Sequence, residues 1–232
     1  AFVRSGALLS DDGKERLRKL TEEASMLSLQ FSQNLLKENK AYTLHLTDRE
    51  QLSGLPDTAI DAAAQAAKER NLDGWVFTLD YPSYSPFLIY SDHRDLRRKL
   101  DNDSNNIEIC KRLVNIRLAL AQLLGYDTFA DYMLKHRMAS NVANVYKLLN
   151  DLISAYKPTA VEELGAVADE ARKAEGDTFS LEPWDFSYYS HKLQMERYNL
   201  DSEMLRPYFR LDNVIRGVFG LATRLYGITF KE

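Results

Sequence analysis

The sequence holds a single cysteine, Cys110, which excludes an internal disulfide and any cysteine-rich metal centre. Prolines number six and glycines 10 in 232 residues, sparse punctuation for a chain of this length. No apolar run approaches the roughly 20 residues needed to span a bilayer, and the first residues lack a basic stretch followed by an apolar one. An export signal, if the full-length protein carries one, lies outside this sequence. Neither sign of charge dominates: 30 Lys and Arg against 34 Asp and Glu give a net charge of −4, with both signs mixed along the chain. That balance argues against nucleic acid and against an anionic membrane as partners. A cytoplasmic setting is the expectation, with a periplasmic one as the alternative.

What is present is helical. At 45% hydrophobic and 28% charged, the chain can bury a core as one large helical domain or two small ones. Its apolar residues mostly recur at three and four. Ser10 is placed to cap a helix over about 11–39 in which Leu17, Leu20, Ala24, Leu27 and Phe31 form a seam that needs a partner helix. Tyr42, Leu44 and Leu46 alternate with polar residues, and Trp75 to Leu79 is a second β-prone run; these are the candidates for one small two-stranded sheet. Between them Pro56 opens an alanine-rich stretch, Ala59 to Arg70, of high helix propensity. The expected class is mainly α, a multi-helix array with that one β element.

Further along, Pro82 to Leu100 passes from aromatic residues to a charged tail, Asp92 to Lys99, which reads as a helix leaving the core. Asp101 to Asn106 reads as a loop and cap. Ile107, Cys110, Val114, Leu118 and Ala121 mark the expected buried face of the next helix, which Gly125 ends. A short helix follows near Phe129 to Lys135. Asn141 caps another that carries Val145, Leu148, Leu149 and Leu152, and Pro158 should kink or end it. Glu162 to Lys173 reads as a solvated helix face and Gly176 to Thr178 as a turn. Aromatic content rises from Leu181, so the expected division is residues 1–180 as an N-terminal helical domain and 181–232 as the start of a further helical region.

Elementary chemistry finds no active site. A zinc hydrolase commonly needs two His one helical turn apart with an adjacent Glu. Here His45, His93, His136 and His191 stand alone. Ser5-Gly6 and Ser53-Gly54 lack the strand, elbow and partner histidine of a serine hydrolase. Cys110 falls on an apolar stripe and reads as a small buried hydrophobe. Gly217 and Gly220 read as helix-packing positions, not a phosphate loop. No catalytic, cofactor-binding or metal-binding residue is assigned to this chain.

One stretch carries a family signature. Glu182-Pro-Trp-Asp-Phe-Ser-Tyr-Tyr-Ser190, then Glu196-Arg-Tyr198 and Leu205-Arg-Pro-Tyr-Phe209, resembles a segment of the zinc oligopeptidases, the family of oligopeptidase A, thimet oligopeptidase and the bacterial peptidyl-dipeptidases. Leu211 to Ile215 and Leu225 to Phe230 continue it. Upstream, Phe2 to Leu9, Pro82 to Phe87, Leu124-Gly-Tyr126 and His136-Arg-Met138 are similar to the same family, nearest the peptidyl-dipeptidase branch. The resemblance implies a helical fold whose two halves flank a deep channel, and cleavage of short peptides with release of C-terminal dipeptides. It also implies a zinc held by two histidines of a His-Glu-x-x-His helix and a later glutamate. None of these positions is in this chain, so the resemblance makes it a fragment that lacks the zinc motif and holds no metal itself.

The same reading gives structural expectations. Trp184, Tyr188, Tyr189, Tyr208 and Phe209 should form an aromatic cluster, with Asp185 or Arg206 as a buried polar contact. Relatives carry extra residues where Leu100 meets Asp101, so a loop is expected to be missing there. Val214, Ile215, Val218, Phe219, Leu221, Ala222, Leu225 and Tyr226 are expected to surround nearly the whole circumference of a helix, exposing an apolar patch and favouring self-association. The competing class is a non-enzymatic helical module that binds a partner through its amphipathic seams.

Overall fold

A computed structural model describes residues 3–100 and 106–231 of the chain. The expected loop over 101–105, and the junction of Leu100 with Asp101, lie outside the described residues. Helix α1 spans Asp11–Ala41, and the Ser10 hydroxyl accepts a hydrogen bond from the Gly13 amide at 3.2 Å. The seam from Leu17 to Phe31 is half-buried, and its partner is α5, Ile107–Leu123. Asn106 binds the two together instead of capping α5. Its amide donates to the Phe31 carbonyl at 3.2 Å and accepts from Asn34 at 3.0 Å.

Strands β1, Leu44–Leu46, and β2, Trp75–Phe77, pair antiparallel with Leu44 opposite Phe77. Gly54 precedes α2, Asp57–Lys68, at φ +85°, where a Cβ would lie 2.2 Å from the Tyr90 carbonyl oxygen. Only glycine fits that approach. Leu44, Leu46, Leu52, Leu55, Ala63 and Phe77 form the main core with Phe87 and Leu88 of α3, Tyr81–Tyr90, and Leu96 of α4, Arg94–Lys99.

The charged tail does not leave that core. The chain breaks at Ser91 and turns back as α4, whose Leu96 and Arg97 are buried together with Leu100. A charge run can face inward when a counter-charge waits there, and here Asp185 does.

Helix α5 also departs from expectation. Ile109, Ile116 and Ala121 are its buried residues, while Ile107, Cys110, Val114 and Leu118 are exposed. The helix is apolar on two sides, and α1 covers only one. After Gly125 at φ +82°, α6 runs Phe129–Leu134 and α7 runs Val142–Glu175 from its Asn141 cap. Pro158 lies inside α7 and does not end it; residues 150–160 are all exposed, so water can satisfy the carbonyl that Pro158 leaves without a donor.

Helix α8, Pro183–Tyr198, packs on α3, α4 and the distal part of α7, where Val167, Ala171 and Tyr189 make a second small core. A short α9, Ser202–Leu205, a 3₁₀ turn, Arg206–Phe209, and α10, Leu211–Tyr226, complete the described chain. Among the described residues the architecture is mainly α with one two-stranded sheet, as expected from the sequence.

Candidate functional site

The densest polar constellation sits where α4 meets α8. Glu182 and Asp185 close a capping box at the start of α8, which fixes Asp185 pointing back toward α4. Arg94 approaches its carboxylate with Nε at 3.0 Å and Nη2 at 2.8 Å, and Arg97 with Nη2 at 3.0 Å; the Glu182 amide adds a fourth contact at 3.2 Å. Arg97 is 1% exposed and Asp185 0%. Arg97 also donates to the Ser91 and Trp184 carbonyls and lies 4.2 Å above the Tyr188 ring. Arg94 stacks over Phe179 at 4.5 Å.

Burial pushes the Asp185 carboxyl up, yet the hydrogen bonds from Arg94, Arg97 and the Glu182 backbone outweigh it and hold it below the ordinary carboxylate value. Its acceptor positions are filled and two cations flank it. Such a carboxylate can neither bind a metal ion nor take a proton near neutrality; it clamps helices.

A second carboxylate, Asp92, accepts from Ser53 Oγ at 2.6 Å and from the Tyr188 hydroxyl at 2.8 Å. Burial, then the bond to Asp92, pushes the Tyr188 phenol up to about 12. His93 follows Asp92 but turns its Nε2 to the Glu50 carbonyl at 2.8 Å, so Ser53 faces a carboxylate with no imidazole to activate it. Beyond these, Tyr90 donates to Asp201 at 2.6 Å and packs edge-on to His191.

The expected aromatic cluster forms in part. Trp184, Tyr188 and Tyr189 pack at the α4–α8 junction, and Asp185 supplies the buried polar contact. Tyr208 and Phe209 do not join them, at 78% and 68% exposed, and Arg206 pairs with Glu203 on the surface. The 3₁₀ turn carries those side chains away from α8. Gly217 and Gly220 pack against nothing here; a Cβ at either would meet no atom within 4 Å. Cys110 is exposed and lines a shallow apolar groove with Phe31, Ile107 and Val114. Sequence reading missed Arg94 and Arg97, whose only signal was the proximity of two arginines to Leu96 and Leu100.

Zinc does not fit this donor set. His45 bonds the Asp73 carbonyl from β1, His93 precedes α4, His136 follows α6 and His191 lies in α8. Among the described residues no three His, Cys, Asp or Glu are grouped to hold a metal. A groove of about 460 Å³ between α7 and α8, lined by Leu164, Val167, Phe186 and Leu193 with Glu163 and Arg197 among them, is mostly apolar and holds no histidine, cysteine or pair of carboxylates.

The chain is similar to known proteins along its whole length. Peptidase family M3 matches residues 89–232. Oligopeptidase A of Escherichia coli is 34% identical over 245 residues, covering 100% of this chain and 36% of that protein. Dipeptidyl carboxypeptidase of the same organism is 35% identical over 243 residues, with the same coverage. Saccharolysin of Saccharomyces cerevisiae is 28% identical over 243 residues, covering 100% of this chain and 34% of its own. The chain thus spans about a third of the length of the curated relatives it matches.

Proposed function

This chain belongs to peptidase family M3, and on that premise we propose that it is the N-terminal, helical part of a zinc metallopeptidase that hydrolyses oligopeptides and releases C-terminal dipeptides. In this reading residues 1–180 form one wall of a channel for short peptides, and residues 181–232 lead into the half that binds zinc and carries the reacting groups. The observation that carries it is coverage: relatives align along the whole of this chain yet are nearly three times as long. This chain's own residues then position the fold, with Asp185, Arg94 and Arg97 clamping α8 to α4. Dipeptide release, as opposed to internal cleavage, rests on the likeness of Pro82 to Phe87 and the other upstream segments to the peptidyl-dipeptidase branch. Identities of 35% and 34% to the two enzyme types do not separate them.

An alignment of 245 positions onto 232 residues requires extra residues in the relative, and we place them where Leu100 meets Asp101. Among the described residues no helix is long and apolar enough to cross a membrane. The family match does not favour a non-enzymatic interaction module.

Reading the coding sequence past Glu232 and assaying its product tests the proposal. A downstream His-Glu-x-x-His, with dipeptides released from a free C-terminus but not from an amidated one, is the expected result. Internal cleavage unaffected by amidation would refute dipeptide release. A stop codon after Glu232 would refute the peptidase reading.

A further inference from the structure

Helix α10 is amphipathic along its whole length yet buries no residue. Val214, Ile215, Val218, Phe219, Leu221 and Leu225 are 40–64% exposed. At 3.6 residues per turn the apolar positions fall within an arc of about 160°, with Asp212, Asn213, Arg216, Thr223 and Arg224 opposite. The expectation of a helix apolar around nearly its whole circumference is therefore corrected: α10 has one apolar side. A wholly apolar helix would call for burial on every side, whereas a one-sided helix calls for a single partner surface. Helices this short are marginal in water without one.

The direction of the chain points to what covers it. Gly227, in the left-handed region at φ +67°, ends α10, and the chain doubles back so that Phe230 stacks on Phe219 with centroids 4.1 Å apart. Phe230 thereby brings the chain back to the apolar side of α10. The family match runs through α10 to residue 232, and this chain covers only 36% of the length of oligopeptidase A.

We propose that the apolar side of α10 is the seat on which the remaining two-thirds of the peptidase polypeptide docks. This rests on the reading of the chain as part of an M3 peptidase, and it assigns the contact surface to one face of one helix.

Val218→Cys and Leu221→Cys, each in a Cys110→Ser background, test it by maleimide labelling, with Asp12→Cys on α1 as the exposed reference. The 232-residue chain and the longer product encoded with it are compared. Both positions should label at the reference rate in the 232-residue chain and slow by about tenfold or more in the longer one. Equal rates in a longer product that cleaves peptides would overturn the docking seat and leave the peptidase reading intact. Protection in a longer product without peptidase activity would do the reverse. Protection that grows with concentration of the 232-residue chain would assign the face to a second copy and overturn the inference, as would a reading frame ending at Glu232.

Discussion

Asp185 has no exposed surface, and its carboxylate pairs with two guanidinium groups, one of them almost as deeply buried. Removing it leaves Arg97 charged, desolvated and unpaired. Asp185→Ala should therefore cost about 3–5 kcal/mol in urea unfolding, far more than loss of an exposed pair such as Lys147–Asp151, worth about 0–1 kcal/mol. Replacing the whole cluster with apolar residues of similar size should cost less than the single change. Acid should act at the same place. Because the folded pKa of Asp185 lies below its unfolded value, the unfolded chain binds the proton first as pH falls. The stabilisation is present above the ordinary carboxylate pKa of about 3.9 and disappears as pH drops through the lower folded value. Unfolding free energy followed from pH 6 to pH 2 should show this loss in the native sequence and a shallower one in Asp185→Asn.

At the scale of elements, Ile116 and Val114 sit two residues apart on α5 with opposite fates. Ile116→Ala opens a cavity against α1 and should cost about 2–5 kcal/mol, whereas Val114→Ala, on the exposed side, should fall within about 0.5 kcal/mol of the parent. Thermal unfolding of both variants checks the pair. The same helix shows what the sequence could convey. Period and caps were readable: the three-four seam of α1, Ser10 and Asn141 as N-caps, and the β1–β2 pairing all follow from local residues. Which of two apolar sides of α5 turns inward is decided by α1, about 80 residues earlier, and no local pattern carries that information. Arg97 was unreadable for the same reason, since a buried guanidinium depends on a carboxylate 88 positions away. Pro158 failed differently: the rule that proline ends a helix assumes that the orphaned carbonyl cannot reach water, and in α7 it can.

Over the whole molecule, packing is uneven. Val167 and Ala171 anchor the distal part of α7, while Tyr146, Leu149, Ile153 and Tyr156 on its first half are exposed. Backbone amides over 142–157 should exchange with solvent faster than those over 164–175, and exchange read by mass spectrometry would contradict this if the two segments were equally protected. The α4–α8 clamp, in contrast, joins the sheet-centred core to the core around Tyr189, so those two should unfold together.

Among the described residues no three donors are grouped to hold a metal, and four separated histidines cannot supply the three converging ligands a zinc hydrolase needs, so on the proposed reading the zinc site lies outside this chain. The decisive measurement is metal content and turnover of the purified 232-residue chain, loaded with excess zinc, desalted, and given a quenched oligopeptide. The account predicts well under one zinc per chain and no hydrolysis above the uncatalysed rate. One tightly held zinc per chain, with cleavage abolished by a chelator and restored by zinc, would contradict it.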